Sequence, residues 1–198
     1  VTREPVAAHE IGDTAQLVSS TLLGGDRTSA ASAREHLDAA VERLLGPDGK
    51  LKKEQETVIL PLLDDQDVLA VFRTGFGKSI CYQAPALALA DAGLGATLVV
   101  SPLVALQRDQ VRGLRERSIW EAVALNGQMS PLTRAAVLRG IAAGFYRLIY
   151  VAPEALGSAG LRAAVSRSGL ALVAIDEAHC ITEMGHDFRP DYRTIPAA

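Results

Sequence analysis

The sequence predicts an α/β protein with an open, mostly parallel sheet and helices on both of its faces. From about residue 67 onward, short apolar runs rich in β-branched residues alternate with stretches of helical periodicity. The runs are almost continuously apolar, which is typical of strands that are buried on both faces. Strands spaced by helices indicate a parallel sheet, because each helix carries the chain back to the starting edge, and right-handed crossovers then give an open, doubly wound arrangement. Apolar residues form 48% of the chain and charged residues 22%, as in globular domains.

The individual elements follow from these patterns and from the turn residues between them. Strands are predicted at residues 67–72, 96–101, 122–125, 148–152 and 171–175. Helices are predicted between them at 79–92, 105–116, 131–143 and 161–167. In an open sheet of this kind, ligands bind at the carboxyl ends of the strands.

The first 50 residues have a different character. Residues 29–45 form an Ala-rich amphipathic pattern that predicts one helix, ended by the Gly-Pro-Asp-Gly sequence at 46–49. The segment 22–32, rich in Gly, Ser and Thr, is predicted to be a linker. We therefore expect a helical N-terminal extension over residues 1–50 and one α/β domain over residues 51–198.

Composition and charge narrow the class of protein. The two cysteines, Cys81 and Cys180, have no metal-ligand spacing and are too few for a disulfide scaffold, which favours a reducing cytoplasm. The net charge of −3 gives no overall basic footprint for nucleic acid, so any such binding depends on local contacts. The apolar region 84–106 is interrupted by Asp91, Pro102 and glycines, which argues against a membrane span.

A phosphate-binding loop is predicted between the first strand and its helix, at "RTGFGKS" (73–79). A glycine-containing turn at a helix N-terminus offers free backbone N–H groups and the positive end of the helix dipole. Lys78 is suited to the β and γ phosphates of a nucleotide and the Ser79 hydroxyl to Mg²⁺. The predicted nucleotide-binding residues are Thr74, Gly75, Phe76, Gly77, Lys78 and Ser79. Because Phe72 stands where the strict motif has glycine, a chance Gly-Lys-Ser turn is the alternative.

A pair of acids follows the last predicted strand. Asp176 is predicted to hold Mg²⁺, together with Ser79, and Glu177 to orient and deprotonate an attacking water. An Asp-Glu pair at a strand end is also compatible with an ordinary solvated turn. The preceding phosphate loop favours the catalytic interpretation, because both motifs then lie at the carboxyl edge of one sheet.

Four segments in order carry a resemblance to a known family: "TGFGKSICYQAPAL" (74–87), "LVVSPLVALQRDQV" (98–111), "LIYVAPEAL" (148–156) and "LVAIDEAHCITEMGHDFRPDY" (172–192). Over about residues 51–196 the chain resembles the RecQ family of superfamily 2 DNA helicases. The resemblance implies a RecA-like P-loop NTPase fold, ATP and Mg²⁺ as cofactors, and DNA as partner. It also implies ATP hydrolysis coupled to 3′–5′ movement along single-stranded DNA and to duplex unwinding.

The resemblance also assigns roles to single residues. Gln55 matches the glutamine that reads adenine, Lys78, Asp176 and Glu177 match catalytic positions, and His179 matches the residue that links the ATP site to DNA. Residues 181–192 match an aromatic-rich DNA-sensing loop, although its aromatics would equally suit anchoring of the loop to the core. The implied nucleic-acid contacts are Ser101, Pro102, Asn126, Pro153, Met184, His186, Phe188 and Arg189.

Helicases of this family have a second RecA-like domain that supplies an arginine finger, and residues 1–198 contain no such motif. We therefore expect the chain to be the first motor domain of a longer protein, with little ATPase activity and no unwinding by itself. The alternative is a stand-alone nucleotide- or nucleic-acid-binding regulatory module derived from the same fold.

Overall fold

A seven-stranded sheet forms the centre of the molecule. The computed structural model describes residues 9–11, 14–20 and 27–177, with side-chain surroundings for residues 31–177. The strands are β1 (His9–Ile11), β2 (Thr14–Ser20), β3 (Val68–Phe72), β4 (Ala96–Val100), β5 (Ala122–Leu125), β6 (Leu148–Val151) and β7 (Leu170–Ile175), in the spatial order β1-β3-β2-β7-β4-β6-β5. Strands β7, β4, β6 and β5 are mutually parallel. The predicted α/β class with a mostly parallel sheet is confirmed.

Helices cover both faces of this sheet. They are α1 (Arg27–Glu35), α2 (Leu37–Leu45), α3 (Lys53–Leu63), α4 (Ile80–Asp91), α5 (Val104–Glu116), α6 (Pro131–Ala142) and α7 (Ala159–Ser168), with a 3₁₀ turn at Pro153–Gly157. None of the helices in the described part of the chain is both long enough and apolar enough to cross a bilayer.

Alternate side chains of the strands supply two separate cores. On one face, Val99 and Tyr150 pack with the apolar residues of α1 to α5. On the other, Val100 and Ile149 pack with α6 and α7. Successive strand residues point to opposite faces, so a continuously apolar strand feeds both cores. This confirms the prediction that the apolar runs are strands buried on both faces of the sheet.

The five predicted strands and four predicted helices after residue 66 are all present, with bounds shifted by at most two residues. Helix α3 was not predicted, because Pro61 and a run of β-branched residues obscure its pattern. The single helix expected at 29–45 is two helices, α1 and α2, which meet at His36. The predicted linker also overlaps α1, which begins at Arg27.

The N-terminal strands were not predicted either, and β2 has a central place in the sheet. It lies antiparallel between β3 and β7, pairing Leu17 with Leu69 on one side and with Ile175 on the other. The strand that carries the phosphate loop therefore reaches the strand that carries the acid pair only through β2.

Candidate nucleotide-binding site

The loop between β3 and α4 has the backbone of a phosphate cradle. Gly75 and Gly77 have φ values of 78° and 88°, a region that residues with a side chain rarely adopt. The chain then turns into α4, where the N–H of Cys81 donates to the carbonyl of Lys78 at 2.9 Å. A Cβ at Gly77 would lie 3.2 Å from Nε2 of Gln55, so the second glycine also permits a close approach. The predicted loop is thus a glycine turn that opens a helix, as anion binding requires.

Lys78 and Glu177 come together at this loop although they are far apart in the sequence. The Nζ atom of Lys78 lies 3.5 Å from Oε1 of Glu177, and the two side chains are 13% and 20% exposed. The strand–loop–helix at 68–91 and the end of β7 therefore form one site. The two motifs lie close together, as predicted, because β3 and β7 end at the same edge of the sheet.

Asp176 is held firmly at the end of β7. Its N–H donates to the carbonyl of Val100 at 2.8 Å, which continues the ladder between β7 and β4. Its Oδ1 accepts from the N–H of Glu177 at 3.1 Å, and its side chain is largely buried. Glu177 has a φ of 54°, a left-handed conformation for a non-glycine residue. Such conformations cost about 1–2 kcal/mol and persist where the surroundings impose them, often at functional sites.

Two buried tyrosines lie behind the acid pair. Burial raises the pKa of Tyr82 well above its usual value, and the neighbouring Tyr150 and Asp176 raise it further. The rings of Tyr82 and Tyr150 meet edge to face, with centroids 6.3 Å apart. Gln83 of α4 donates through Nε2 to the Tyr150 hydroxyl at 3.1 Å and to Oε1 of Gln110 in α5 at 2.9 Å. A polar network thus connects α4, β6 and α5 beneath the site, and sequence reasoning missed it because no local pattern marks these residues.

Gln55 lies against the phosphate loop. Its Oε1 accepts from the N–H of Lys52 at 2.9 Å, and its Nε2 donates to the carbonyls of Phe76 and Gly77 at 3.4 Å. The side chain is buried, at 5% exposure. Both ends of the amide therefore contact protein backbone in this structure, so an adenine contact requires at least one of these hydrogen bonds to be exchanged.

Lys52 and Phe76 form a contact that the sequence did not indicate. Nζ of Lys52 lies 4.2 Å from the Phe76 ring centroid and donates to the Phe76 carbonyl at 3.1 Å. The Phe76 ring stacks on Phe72 with centroids 4.8 Å apart. Phe72, which departs from the strict loop motif, thus supports the loop from its first position.

The residues predicted to contact nucleic acid fall into two groups. Ser101, Pro102, Asn126 and Pro153 lie at strand ends on the same edge of the sheet as Asp176, but their side chains are buried. The others, together with the predicted coupling residue, lie outside the described residues: His179, Met184, His186, Phe188 and Arg189. The roles of both groups in DNA binding stay predictions.

The side chains at the loop suit Mg²⁺ better than a metal ion that takes all of its ligands from the protein. Mg²⁺ takes hard oxygen ligands, retains several waters and needs only one or two carboxylates beside the phosphates. Asp176, Glu177 and the Ser79 hydroxyl are oxygen donors of this kind at the opening of α4. Within the described residues, no group of three or more His, Cys, Asp or Glu is placed to hold a metal ion.

Comparison with known sequences places these features in a family context. The sequence model of DEAD/DEAH box helicases matches residues 52–198. The chain is 44% identical over 144 residues to the ATP-dependent DNA helicase RecQ of Haemophilus influenzae, a match covering 73% of this chain and 22% of the relative. It is 43% identical to the probable ATP-dependent DNA helicase RecS of Bacillus subtilis, covering 73% of this chain and 28% of the relative. Against RecQ of Pasteurella multocida it is 39% identical over 183 residues, covering 90% and 28% respectively. The chain thus spans between about a fifth and a third of the length of these relatives, and its resemblance to RecQ helicases is confirmed.

Proposed function

This chain belongs to the DEAD/DEAH box helicase family, and from that premise we propose that residues 51–198 form the ATP-binding motor domain of a RecQ-like DNA helicase. The observation that carries the proposal is the 3.5 Å contact between Lys78 of the phosphate loop and Glu177 of the acid pair. An ordinary Gly-Lys-Ser turn and an ordinary solvated Asp-Glu turn have no reason to meet in a partly buried site.

We assign the residues of the site to successive tasks. The glycine turn and the N-terminus of α4 bind the phosphates, and Lys78 neutralises charge on the β and γ phosphates. Ser79 and Asp176 would hold Mg²⁺, which supplies further charge neutralisation when bound. When phosphate binds, Lys78 turns toward it, and the Glu177 carboxylate orients a water and accepts its proton. Gln55 is proposed as the adenine contact, once its amide exchanges backbone partners for the base.

Four further elements of the proposal rest on the relatives and on the resemblance in sequence. The names of the relatives support DNA as the substrate. Movement in the 3′–5′ direction, and a second RecA-like domain working across the nucleotide, belong to the RecQ resemblance. His179 is proposed to pass information between the ATP site and a DNA-sensing loop that contains Met184, His186, Phe188 and Arg189. The alternative of a regulatory module that has lost the motor is not favoured, because the relatives are named as helicases.

Nucleotide binding by the chain tests the core of this proposal. Lys78→Ala should weaken binding of a fluorescent ATP analogue with Mg²⁺ by tenfold or more, since a phosphate-contacting charge is lost. Glu177→Gln should leave binding within about threefold but lower any hydrolysis by about a hundredfold or more, since the general base is lost. Arg167→Ala, which removes an exposed charge from α7, is the matched control. Unchanged analogue binding by Lys78→Ala, with circular dichroism showing a folded variant, would contradict the proposal.

A further inference from the structure

A groove runs along the outer edge of the sheet, away from the nucleotide site. It has a volume of about 580 Å³ and lies between α5 and the edge strand β5. Its floor is apolar and includes Val111, Val123 and Ala124. One end lies at Asn126, just after β5, and the other at Trp120, just before it. The groove therefore leads from the carboxyl edge of the sheet, where the predicted DNA contacts lie, down the side of the domain.

One wall of the groove is a row of arginines on α5. Arg108, Arg112 and Arg115 all line it, and their spacing of four and three residues places them on one face of the helix. Glu116 is the one acid among the lining residues. This wall is positive although the chain as a whole carries a net charge of −3. It is thus a local site of the kind that an acidic protein needs in order to bind a polyanion.

The arginines can exchange their present partners for a ligand. Arg112 contacts Asp109 at 2.9 Å and Glu116 at 4.0 Å, and all three side chains are more than half exposed. Exposed pairs of this kind contribute little stability. Arg108 donates to the Gln128 side chain at the upper end of the groove. Guanidinium groups bind phosphate oxygens in a bidentate manner, which a carboxylate partner on the surface does not prevent.

Trp120 closes the lower end of the groove and is the sole tryptophan of the sequence. It is 59% exposed, which is unusual for so large an aromatic ring. Exposed aromatics next to basic side chains are the standard platform for stacking unpaired bases. An acidic peptide would satisfy the arginines equally well, but it would leave the flat indole face without a planar partner.

We propose that this groove, here called the α5 groove, binds single-stranded DNA, with phosphates on Arg108, Arg112 and Arg115 and one base stacked on Trp120. The inference rests on the proposed function, because it extends the predicted DNA contacts at the carboxyl edge of the sheet. The groove also has a physical connection to the nucleotide site. Gln110 on the opposite side of α5 accepts a hydrogen bond from Gln83 of α4, the helix that begins at the phosphate loop.

Because Trp120 is the sole tryptophan, its fluorescence reports on the α5 groove alone. Oligothymidylate of about twelve residues is titrated into the chain at low salt, and Trp120 fluorescence is recorded. Saturable quenching is expected, and it should weaken steeply as salt is raised, because phosphate contacts release counterions. Anisotropy of a labelled oligonucleotide measures the affinity independently of the indole.

Matched variants separate the groove from general charge effects. Trp120→Ala should weaken oligonucleotide binding about tenfold, since stacking of one base is lost. Phe145→Ala, which removes an equally exposed aromatic at 59%, should not. The pair Arg112→Ala with Arg115→Ala should weaken binding about tenfold or more, and Arg167→Ala should leave it unchanged.

The outcomes distinguish this inference from the proposed function. If labelled DNA binds but neither Trp120→Ala nor the arginine variants weaken it, the α5 groove is not a DNA site and the proposed motor function stands. If no DNA binds, the α5 groove inference fails, and ATP-analogue binding that depends on Lys78 decides the nucleotide site separately. If a poly-glutamate peptide quenches Trp120 and oligothymidylate does not, the groove takes an acidic protein partner and the inference is overturned.

Discussion

At the scale of single residues, Cys81 illustrates how burial competes with a helix terminus. Cys81 is the second residue of α4, where the helix dipole favours a thiolate. Its side chain is fully buried, however, and burial raises the pKa of the thiol from 9.0 to about 12. Desolvation wins, so Cys81 is a small apolar core residue and not a nucleophile beside the phosphate loop.

This leads to a prediction for stability at alkaline pH. The pKa of Cys81 is higher in the folded than in the unfolded state, so its contribution is fully present below pH about 9 and is lost as the pH rises toward 12. Between pH 8 and pH 10.5 the loss from Cys81 is about 2 kcal/mol of unfolding free energy. Buried Tyr82 and Tyr150, whose pKa values are also raised, add to the decline.

Urea unfolding of the wild type and of Cys81→Ala at several pH values measures this effect. The unfolding free energy of Cys81→Ala should fall less steeply with pH than that of the wild type, by about 2 kcal/mol between pH 8 and pH 10.5. This difference does not depend on how much stability the variant loses at pH 7. Equal slopes for the two proteins would show that the thiol ionises as easily in the folded state as in the unfolded state.

At the scale of elements, the four helices α3 to α6 end with the same hydrogen-bond pattern but with different residues. After α5, the N–H of Ile119 donates to the Leu114 carbonyl at 3.0 Å and that of Ser118 to the Arg115 carbonyl at 2.9 Å. This is a Schellman motif, with buried Leu114 and Ile119 as its apolar contact. Helices α4 and α6 end in the same way with Gly93 and Gly144 at the left-handed position, and α3 does so with Asp65. Ser118 has a φ of 59° there.

Replacing this serine should therefore stabilise the protein. Ser118→Gly removes the strain of a side chain on a left-handed backbone. We expect a gain of about 0.5–1 kcal/mol in unfolding free energy after the larger entropy of unfolded glycine is subtracted. Thermal or urea unfolding measures it. Gly93→Ser is the converse control, since open space surrounds the missing Cβ, and it should cost a similar amount. Loss of stability in Ser118→Gly would mean that the serine side chain contributes more than its backbone costs.

At the scale of the whole molecule, the sheet is continuous only because of β2. Strand β2 is antiparallel to both neighbours and joins β3 to the four-stranded parallel part. Its sequence contains four polar residues among seven, unlike the apolar runs of the strands around it. Lys78 and Glu177 follow β3 and β7, so the width of β2 sets the spacing of the nucleotide site.

A proline within β2 should therefore disrupt the centre of the sheet and the candidate nucleotide site, and not the N-terminal segment alone. Leu17 pairs with residues on both neighbouring strands, and Leu17→Pro removes a ladder donor from the centre of the sheet. We expect a loss of about 2–4 kcal/mol in unfolding free energy and weaker ATP-analogue binding. Glu10→Pro, placed in the edge strand β1, is the control and should cost much less. Equal effects of the two prolines on stability and binding would show that β2 does not hold β3 to β7.

Much of the α/β domain was predictable because the relevant signals are local. Continuous apolar runs identified β3 to β7, and helical periodicity identified the helices that connect them. The phosphate loop and the acid pair were recognised from short motifs whose residue types match phosphate and magnesium chemistry. Helix α3 and strand β2 were not predicted, since Pro61 interrupts the pattern of the helix and four polar residues of seven obscure that of the strand.

Local sequence patterns were therefore enough to predict the strands and helices of residues 67–175, and they singled out the side chains of a candidate nucleotide site. Three features depend on tertiary packing and have no local signal: Lys78 lies 3.5 Å from Glu177, β2 separates their strands, and Gln55 contacts the loop backbone. Tertiary packing also assembles the α5 groove from one helix and an edge strand. The physical reason is that periodicity and turn chemistry act between neighbours in the chain, whereas strand order and side-chain contacts depend on which distant surfaces bury each other.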